Sequence, residues 1–297
     1  PPAGATGDNR SFAADLDQDG DLDVVLGRGG FYLFGSLPQV LVNQGNGTFT
    51  LGSASLIPDA GVVYGADIDG DGRVDLLTGD GTRFRRNLGG LTYAAPVTLP
   101  SASFAAVDLD LDGDLDLVVA NGHIDDTVRN IPGNVGYAQP PHLFLNDRGA
   151  FRDVAAQGGG GFEEPRVGRG LAFGDFDNDG DLDVLITTNN GPAVLFRNDR
   201  QTNNRSVRFT LTGVTSNRDA IGATVRITHG GITQTRMVRS GSSYLSQSEL
   251  PVTFGVGTRD LLDRVVITWP NGRVDDFKNV AAGQRYRVKE GGALERA

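Results

Sequence analysis

Four copies of one aspartate-rich loop, a short β-branched apolar run after each, and no long apolar pattern of helical period predict an all-β chain. The expected architecture is a set of β-propeller-type blades, each holding one loop, followed by a β-sandwich-like C-terminal module. The 43 glycines and 13 prolines among 297 residues suit a chain of many tight turns.

The loop is clearest in Gly174-Asp175-Phe176-Asp177-Asn178-Asp179-Gly180-Asp181-Leu182-Asp183. Alternating Asp175, Asp177 and Asp179 can turn three carboxylates toward one point, and Gly180 permits the left-handed backbone that curls the segment. Asp181 then offers its backbone carbonyl and Asp183 closes the shell. The same positions recur as Asp15, Asp17, Asp19, Asp21 and Asp23; as Asp67, Asp69, Asp71, Arg73 and Asp75; and as Asp108, Asp110, Asp112, Asp114 and Asp116. Hard oxygen ligands in that number suit Ca2+, which accepts six to eight oxygens at irregular angles, better than Mg2+, zinc or copper. About four ions are expected, one per loop. An EF-hand is excluded: it needs a glutamate at loop position twelve and flanking helices, whereas Leu26, Thr78, Val119 and Ile186 stand there inside apolar runs that read as strands.

In chain order, residues 1–10 read as a flexible lead-in and 11–205 as the blades. Loop starts at 15, 67, 108 and 175 are 52, 41 and 67 residues apart, the period of a four-stranded blade with insertions. A Gly- and Asn-rich turn follows each loop, as in Asn43-Gln-Gly-Asn-Gly-Thr-Phe49, Asn87 to Tyr93 and Asn146 to Phe151, and is cut short at Asn198-Asp199-Arg200. One blade cannot bury both sheet faces alone, so neighbours must stack. From Ser206 the loops cease and alternating strands dominate through residue 297, although Val207 to Leu211 also fits as the outer strand of the fourth blade.

The chain lacks cysteine, which excludes disulfides and thiolate metal sites. A net charge of −10 argues against nucleic acid and anionic lipid as partners, and four divalent ions would offset most of it. No run reaches the length of a membrane span. The segment beginning at Pro1 has no apolar signal stretch and reads as a mature or trimmed secreted chain, extracellular or periplasmic, where millimolar calcium fills weak sites.

The four loops resemble FG-GAP/VCBS repeats. Gly168 to Asp183, Ser216-Asn-Arg-Asp-Ala-Ile-Gly222, Ser243-Tyr-Leu-Ser-Gln247, Phe254-Gly-Val-Gly257 and Trp269-Pro-Asn-Gly272 resemble the ASPIC/UnbV proteins, relatives of cartilage acidic protein. The resemblance implies a secreted calcium-binding propeller with an ASPIC/UnbV module and brings no assigned catalytic residues. Such proteins commonly carry about seven blades where four are marked here, so three alternatives stay open: a small propeller, closure by unmarked strands and the C-terminal module, or a part of a larger assembly.

Two functions follow. The leading one is a non-enzymatic calcium-stabilised scaffold that binds an extracellular protein or glycan, as in adhesion; nucleophile-elbow, phosphate-loop and zinc-protease motifs are missing. The alternative is a metal-dependent lyase or isomerase acting on a sugar, with His123, His142, Asp125 and Asp126 converging in the third-repeat insertion as a second metal or ligand site. Against it stands a loop pinned by side-chain hydrogen bonds. Trp269 reads either as a carbohydrate-stacking platform or as core.

Overall fold

The computed structural model describes residues 8–28, 39–52, 64–78, 83–99, 104–123, 126–127, 136–199, 202–241, 243 and 245–297. Residues 1–7 of the expected lead-in, and Asp125, lie outside them; residues 8–10 already belong to a strand. The chain divides into two compact units, one of residues 1–68 and 73–102, the other of residues 69–72 and 103–297.

In the first unit, β1 (Asp8–Ala14), β2 (Asp23–Arg28), β3 (Gln39–Asn43) and β4 (Phe49–Leu51) form one antiparallel sheet in sequential order. The first aspartate loop joins β1 to β2, as the apolar runs on either side predict. β5 (Tyr64–Ala66), β6 (Asp75–Thr78), β7 (Arg83–Arg85) and β10 (Val97–Thr98) form the second sheet, and β8 (Asn87–Gly89) with β9 (Thr92–Tyr93) a separate hairpin. Ala14, Leu16, Val25, Val40, Val42 and Leu76 bury together, so adjacent repeats share a core as stacking requires.

In the second unit, β11 (Phe104–Val107), β12 (Asp116–Val119), β13 (His142–Asp147) and β14 (Ala150–Asp153) make the third sheet. The fourth has three strands: β15 (Gly168–Gly174), β16 (Asp183–Thr188) and β17 (Val194–Phe196). Val107, Val118, Leu171, Val184 and Ile186 bury in one cluster between them.

The chain then leaves the blade pattern. β18 (Ser206–Thr212) pairs antiparallel with β21 (Val252–Gly255) and parallel with β24 (Gln284–Lys289), which is edged by β25 (Leu294–Arg296). Val207 to Leu211 therefore belongs to the C-terminal module and not to the fourth blade. A second sheet orders β20 (Ile232–Met237), β19 (Thr224–His229), β22 (Leu261–Thr268) and β23 (Val274–Ala281). Alternate residues of the two sheets, Val207, Phe209, Val225, Ile227, Val265 and Ile267 among them, are fully buried against one another, which is a sandwich core. Trp269 is 1% exposed in that core and donates its indole N–H to Asp275 Oδ2 at 2.7 Å, so the core reading holds and the stacking platform does not.

Candidate metal centres

Each aspartate loop folds by the same local rules. The glycine at position six is left-handed in all four, with φ of 98° at Gly20, 87° at Gly72, 111° at Gly113 and 104° at Gly180. Position four is left-handed too, at Gln18, Gly70, Leu111 and Asn178. Nothing in the sequence announces this second turn, because four unlike residues occupy it, three of them at a steric cost.

The double turn gathers the carboxylates. One oxygen from each of Asp15, Asp17 and Asp19 lies within 4.8 Å of the others, and the same holds for Asp67, Asp69 and Asp71, for Asp108, Asp110 and Asp116, and for Asp175, Asp177 and Asp179. Position-five carboxylates also accept the backbone N–H of position seven: Asp19 from Asp21 at 2.9 Å, Asp112 from Asp114 at 3.0 Å, Asp179 from Asp181 at 2.9 Å. Position-seven side chains turn outward in two loops. Asp114 accepts Arg148 N–H at 2.6 Å, and Arg73 donates to the Asn87 carbonyl at 2.9 Å.

The ninth position has a role beyond the ion shell. Asp23 accepts the backbone N–H of Leu16 and Asn43, Asp75 those of Ile68 and Asn87, Asp116 those of Leu109 and Asn146, and Asp183 those of Phe176 and Asn198, all between 2.7 and 3.0 Å. Each of these aspartates therefore ties its own loop to the end of the third strand. The asparagine at that end donates in turn from its side chain. Asn87 reaches Leu16 O at 3.1 Å in the first loop and Asn198 reaches Leu109 O at 2.8 Å in the third, so the second and fourth repeats also fasten their predecessors' loops. The recurring asparagine is visible in the sequence, where its Gly-rich surroundings mark a turn but not this tie.

First-position aspartates carry the strongest electrostatic signal. Gly20 N–H binds Asp15 Oδ2 and Gly113 N–H binds Asp108 Oδ2, both at 3.2 Å. The other oxygen, Oδ1, is buried without a hydrogen-bond partner in Asp15 and Asp108, and in Asp175 neither carboxylate oxygen has one. Burial, with the neighbouring Asp110 and Asp112 and against Arg236, pushes Asp108 up to about 8. Burial and then Asp108 push Asp116 up to about 8, and burial takes Asp112, Asp114 and Asp181 up to about 6. Asp15 and Asp17 are raised by the same cause. Buried carboxylates converging on one point resist ionisation unless a cation joins them, and hard oxygens in that geometry fit a hard divalent ion.

The third and fourth loops lie against the C-terminal module. Gly255 N–H donates to Asp108 Oδ2 at 3.0 Å and Gly257 N–H to Leu111 O at 3.0 Å. At the fourth loop, Glu249 Oε2 accepts Asp175 N–H at 3.3 Å and is ion-paired with Arg208, while Arg285 Nη2 stands 3.2 Å from Asp175 Oδ2 and also bonds Asn178 O.

His123, His142 and Asp126 join no such metal-competent group among the described residues. His142 Nδ1 instead lies 2.8 Å from Asp153 Oδ2 across the β13–β14 hairpin, and the backbone N–H of His123 bonds Tyr137 O at 2.9 Å.

The FG-GAP-like repeat family matches residues 15–78 and 108–186, and the ASPIC and UnbV family matches residues 213–295. The chain carries FG-GAP-like repeats followed by an ASPIC/UnbV domain. The repeat matches open and close on the aspartate loops and the strands after them. The ASPIC/UnbV match falls within the sandwich. Cartilage acidic protein 1 of Homo sapiens is 28% identical over 276 residues, which cover 84% of this chain and 39% of that protein. The Mus musculus protein is 28% identical with 84% and 40% covered, and the Xenopus tropicalis protein 26% identical with 82% and 39% covered. The chain thus spans about two fifths of the length of these relatives. Among solved structures, an Agrocybe aegerita lectin that recognises non-reducing terminal N-acetylglucosamine is 20% identical and covers 91% of this chain and 80% of its own, at a TM-score of 0.38. That score is too low to bear on fold or ligand. No helix among the described residues is long and apolar enough to cross a membrane.

Proposed function

We propose that this FG-GAP and ASPIC/UnbV chain is an extracellular calcium-binding scaffold whose loops, loaded with ions, hold a surface for a protein or glycan partner. The observation that carries the calcium reading is the buried Oδ1 of Asp15, Asp108 and Asp175, each without a hydrogen-bond partner and each facing a ring of further carboxylates. Asp15, Asp17 and Asp19 hold the first ion and Asp67, Asp69 and Asp71 the second. Asp108, Asp110, Asp112 and Asp116 hold the third, and Asp175, Asp177 and Asp179 the fourth. The carbonyls at Asp21, Arg73, Asp114 and Asp181 complete the donor set. Calcium supplies the positive charge that lets these buried carboxylates ionise together, and so holds the hairpins folded.

The scaffold part of the reading is supported by composition: the clustered acids of the described residues lie in the loops. Loops so placed suit a chain exposed to millimolar calcium. Equilibrium dialysis should find about four calcium ions per chain, and Asp177→Ala should lose one of them. A site with a dissociation constant near 10 μM contributes about 2.7 kcal/mol in millimolar calcium, so excess EGTA should lower the melting temperature steeply. Unchanged melting and no bound calcium would overturn the reading.

A further inference from the structure

One of the chain's three histidines is buried in the C-terminal module, beside the contact between that module and the third aspartate loop. His229 closes β19 at 3% exposure, and Gln234 stands next to it on β20 at 1%. Gln234 Nε2 lies 3.1 Å from His229 Nε2 and 2.8 Å from the Gly255 carbonyl oxygen. Gly255 in turn donates its N–H to Asp108 Oδ2 at 3.0 Å. A Cβ on Gly113, at position six of the third loop, would stand 2.8 Å from Gln234 Nε2, and Arg236 Nη2 reaches Gly113 O at 3.3 Å. One glutamine amide therefore touches the imidazole, the strand that grips Asp108, and the glycine on which the loop turns.

The donor count sets the protonation state. An amide nitrogen only donates, and its two hydrogens meet Gly255 O and His229 Nε2. Turning the amide over would put its oxygen against the Gly255 carbonyl oxygen and its nitrogen toward Arg236 Nη2, which now stands 3.5 Å from Gln234 Oε1. His229 Nε2 is therefore the acceptor, and the ring is neutral with its proton on Nδ1, which is buried without a hydrogen-bond partner. A second proton would make Nε2 a donor facing a donor. We propose that His229 and Gln234 form an acid-released latch. The neutral imidazole holds Gln234 between Gly255 and Gly113, and the imidazolium displaces it and loosens the module from the third aspartate loop. The surroundings favour the neutral ring: burial and then the Arg259 guanidinium oppose the proton, and they outweigh Asp263, which accepts Gly230 N–H at 2.8 Å. Arg236 and Asp108 act from beyond Gln234 and Gly255. His229 is thus held below its usual 6.5, so the unfolded chain takes the proton first. The latch is closed above pH 6.5 and opens as pH falls below it.

The latch rests on hydrogen bonds of the module and not on the scaffold reading. Loop aspartates take up protons in the same pH range, Asp108 near 8 and Asp112 near 6, so the test is a difference between variants. His229→Phe keeps the bulk of the ring and does not titrate. Urea denaturation of the full chain in millimolar calcium is compared from pH 7.5 to 5.5. Relative to His229→Phe, the parent should lose up to about tenfold in its folding equilibrium per pH unit below 6.5, the limit for one proton. With Gln234→Met in both chains that difference should shrink, because the imidazolium then meets no donor. Two measurements need no stable variant. Nitrogen-15 spectra of histidine-labelled parent should show His229 protonated at Nδ1 and bare at Nε2 at pH 7.5. Hydrogen exchange at the Gly255 amide, corrected for its intrinsic pH dependence, should quicken about tenfold in the parent between pH 7.5 and 5.5. A proton on Nε2 at pH 7.5 would overturn the proposal, as would a parent and His229→Phe with the same pH dependence. Gly255 exchange that ignores the drop in pH would overturn it as well, since the ring would then titrate without acting on the loop.

Discussion

Replacing Gly255 by alanine should detach the ASPIC/UnbV module from the third FG-GAP loop. A Cβ at Gly255 would stand 2.3 Å from Asp108 Oδ2, 2.3 Å from the Leu111 carbonyl carbon and 2.4 Å from its α-carbon. Two of those atoms are backbone of a loop already fixed by a left-handed residue, so the loop cannot give way cheaply and the two elements must separate. Overpacking of this kind costs about 1–3 kcal/mol. The shift also lengthens the 3.0 Å bond from Gly255 N–H to the buried Asp108 carboxylate, a charged hydrogen bond worth about 1.5–3 kcal/mol. Together these come to about 2.5–6 kcal/mol. For a unit of about 200 residues each kcal/mol moves the melting temperature by roughly 2–4 °C, so the expected loss is roughly 5–24 °C. Scanning calorimetry in millimolar calcium measures it. A variant that melts within about 1 °C of the parent would show that Gly255 does not need its missing side chain, and that the packing of the module on this loop contributes little.

Asp183→Asn keeps the shape but replaces an acceptor of two backbone N–H groups, those of Phe176 and Asn198 at 2.8 Å each, with one acceptor and one donor. It should cost about 1–3 kcal/mol in urea denaturation, with EGTA present to separate the hydrogen bonds from any ion. Trp269→Phe removes the indole N–H from the buried Asp275 carboxylate and should lower the urea midpoint by an amount equivalent to about 1.5–3 kcal/mol. Glu290 is the pH-sensitive joint of the module: burial opposes its charge, but the N–H groups of Ser216, Val214 and Thr215 and the Asn271 amide outweigh that and hold it at about 2, below its usual 4.5. A depressed carboxylate stabilises the fold above its unfolded value. Stability should therefore be full above pH 4.5 and lost as pH falls toward 2, and Glu290→Gln should flatten that acid limb in melts across the range.

The all-β class, the loops and their position between the first two strands of each blade are legible because they rest on local signals. Alternating aspartates, a glycine at a fixed offset and β-branched runs each constrain only a few residues. What escapes the sequence is long-range. Gln18, Leu111 and Asn178 share a left-handed backbone without sharing a chemistry, since the curl of the loop imposes the conformation and the side chain only tolerates it. β23 has no clear sequence signal: its stretch Val274-Asp275-Asp276-Phe277-Lys278-Asn279-Val280 breaks strict alternation, and pairing with β22 overrides its weak local pattern. The place of Val207 to Leu211 is ambiguous in the sequence for a related reason. Both an outer blade strand and a sandwich strand alternate with period two, and only the parallel pairing with β24, about 75 residues later, separates them.

That long-range pairing also explains why the third and fourth repeats fall in one compact unit with the module. Once β18 is drawn into the sandwich, the module is brought up against the loops. Its contacts with the loops then acquire physical reasons. The glycines of Phe254-Gly-Val-Gly257 let the backbone donate to Asp108 and Leu111. Ser248 and Glu249, next to Ser243-Tyr-Leu-Ser-Gln247, accept Phe173 N–H at 3.1 Å and Asp175 N–H at 3.3 Å. Arg208 and Arg285 bring two fixed positive charges to 3.9 and 3.2 Å from Asp175 Oδ2. The two guanidinium groups hold the Asp175 carboxylate in position beside the loop. The module consequently forms the outer wall of two aspartate loops, so its attachment and their charge balance are parts of one structure.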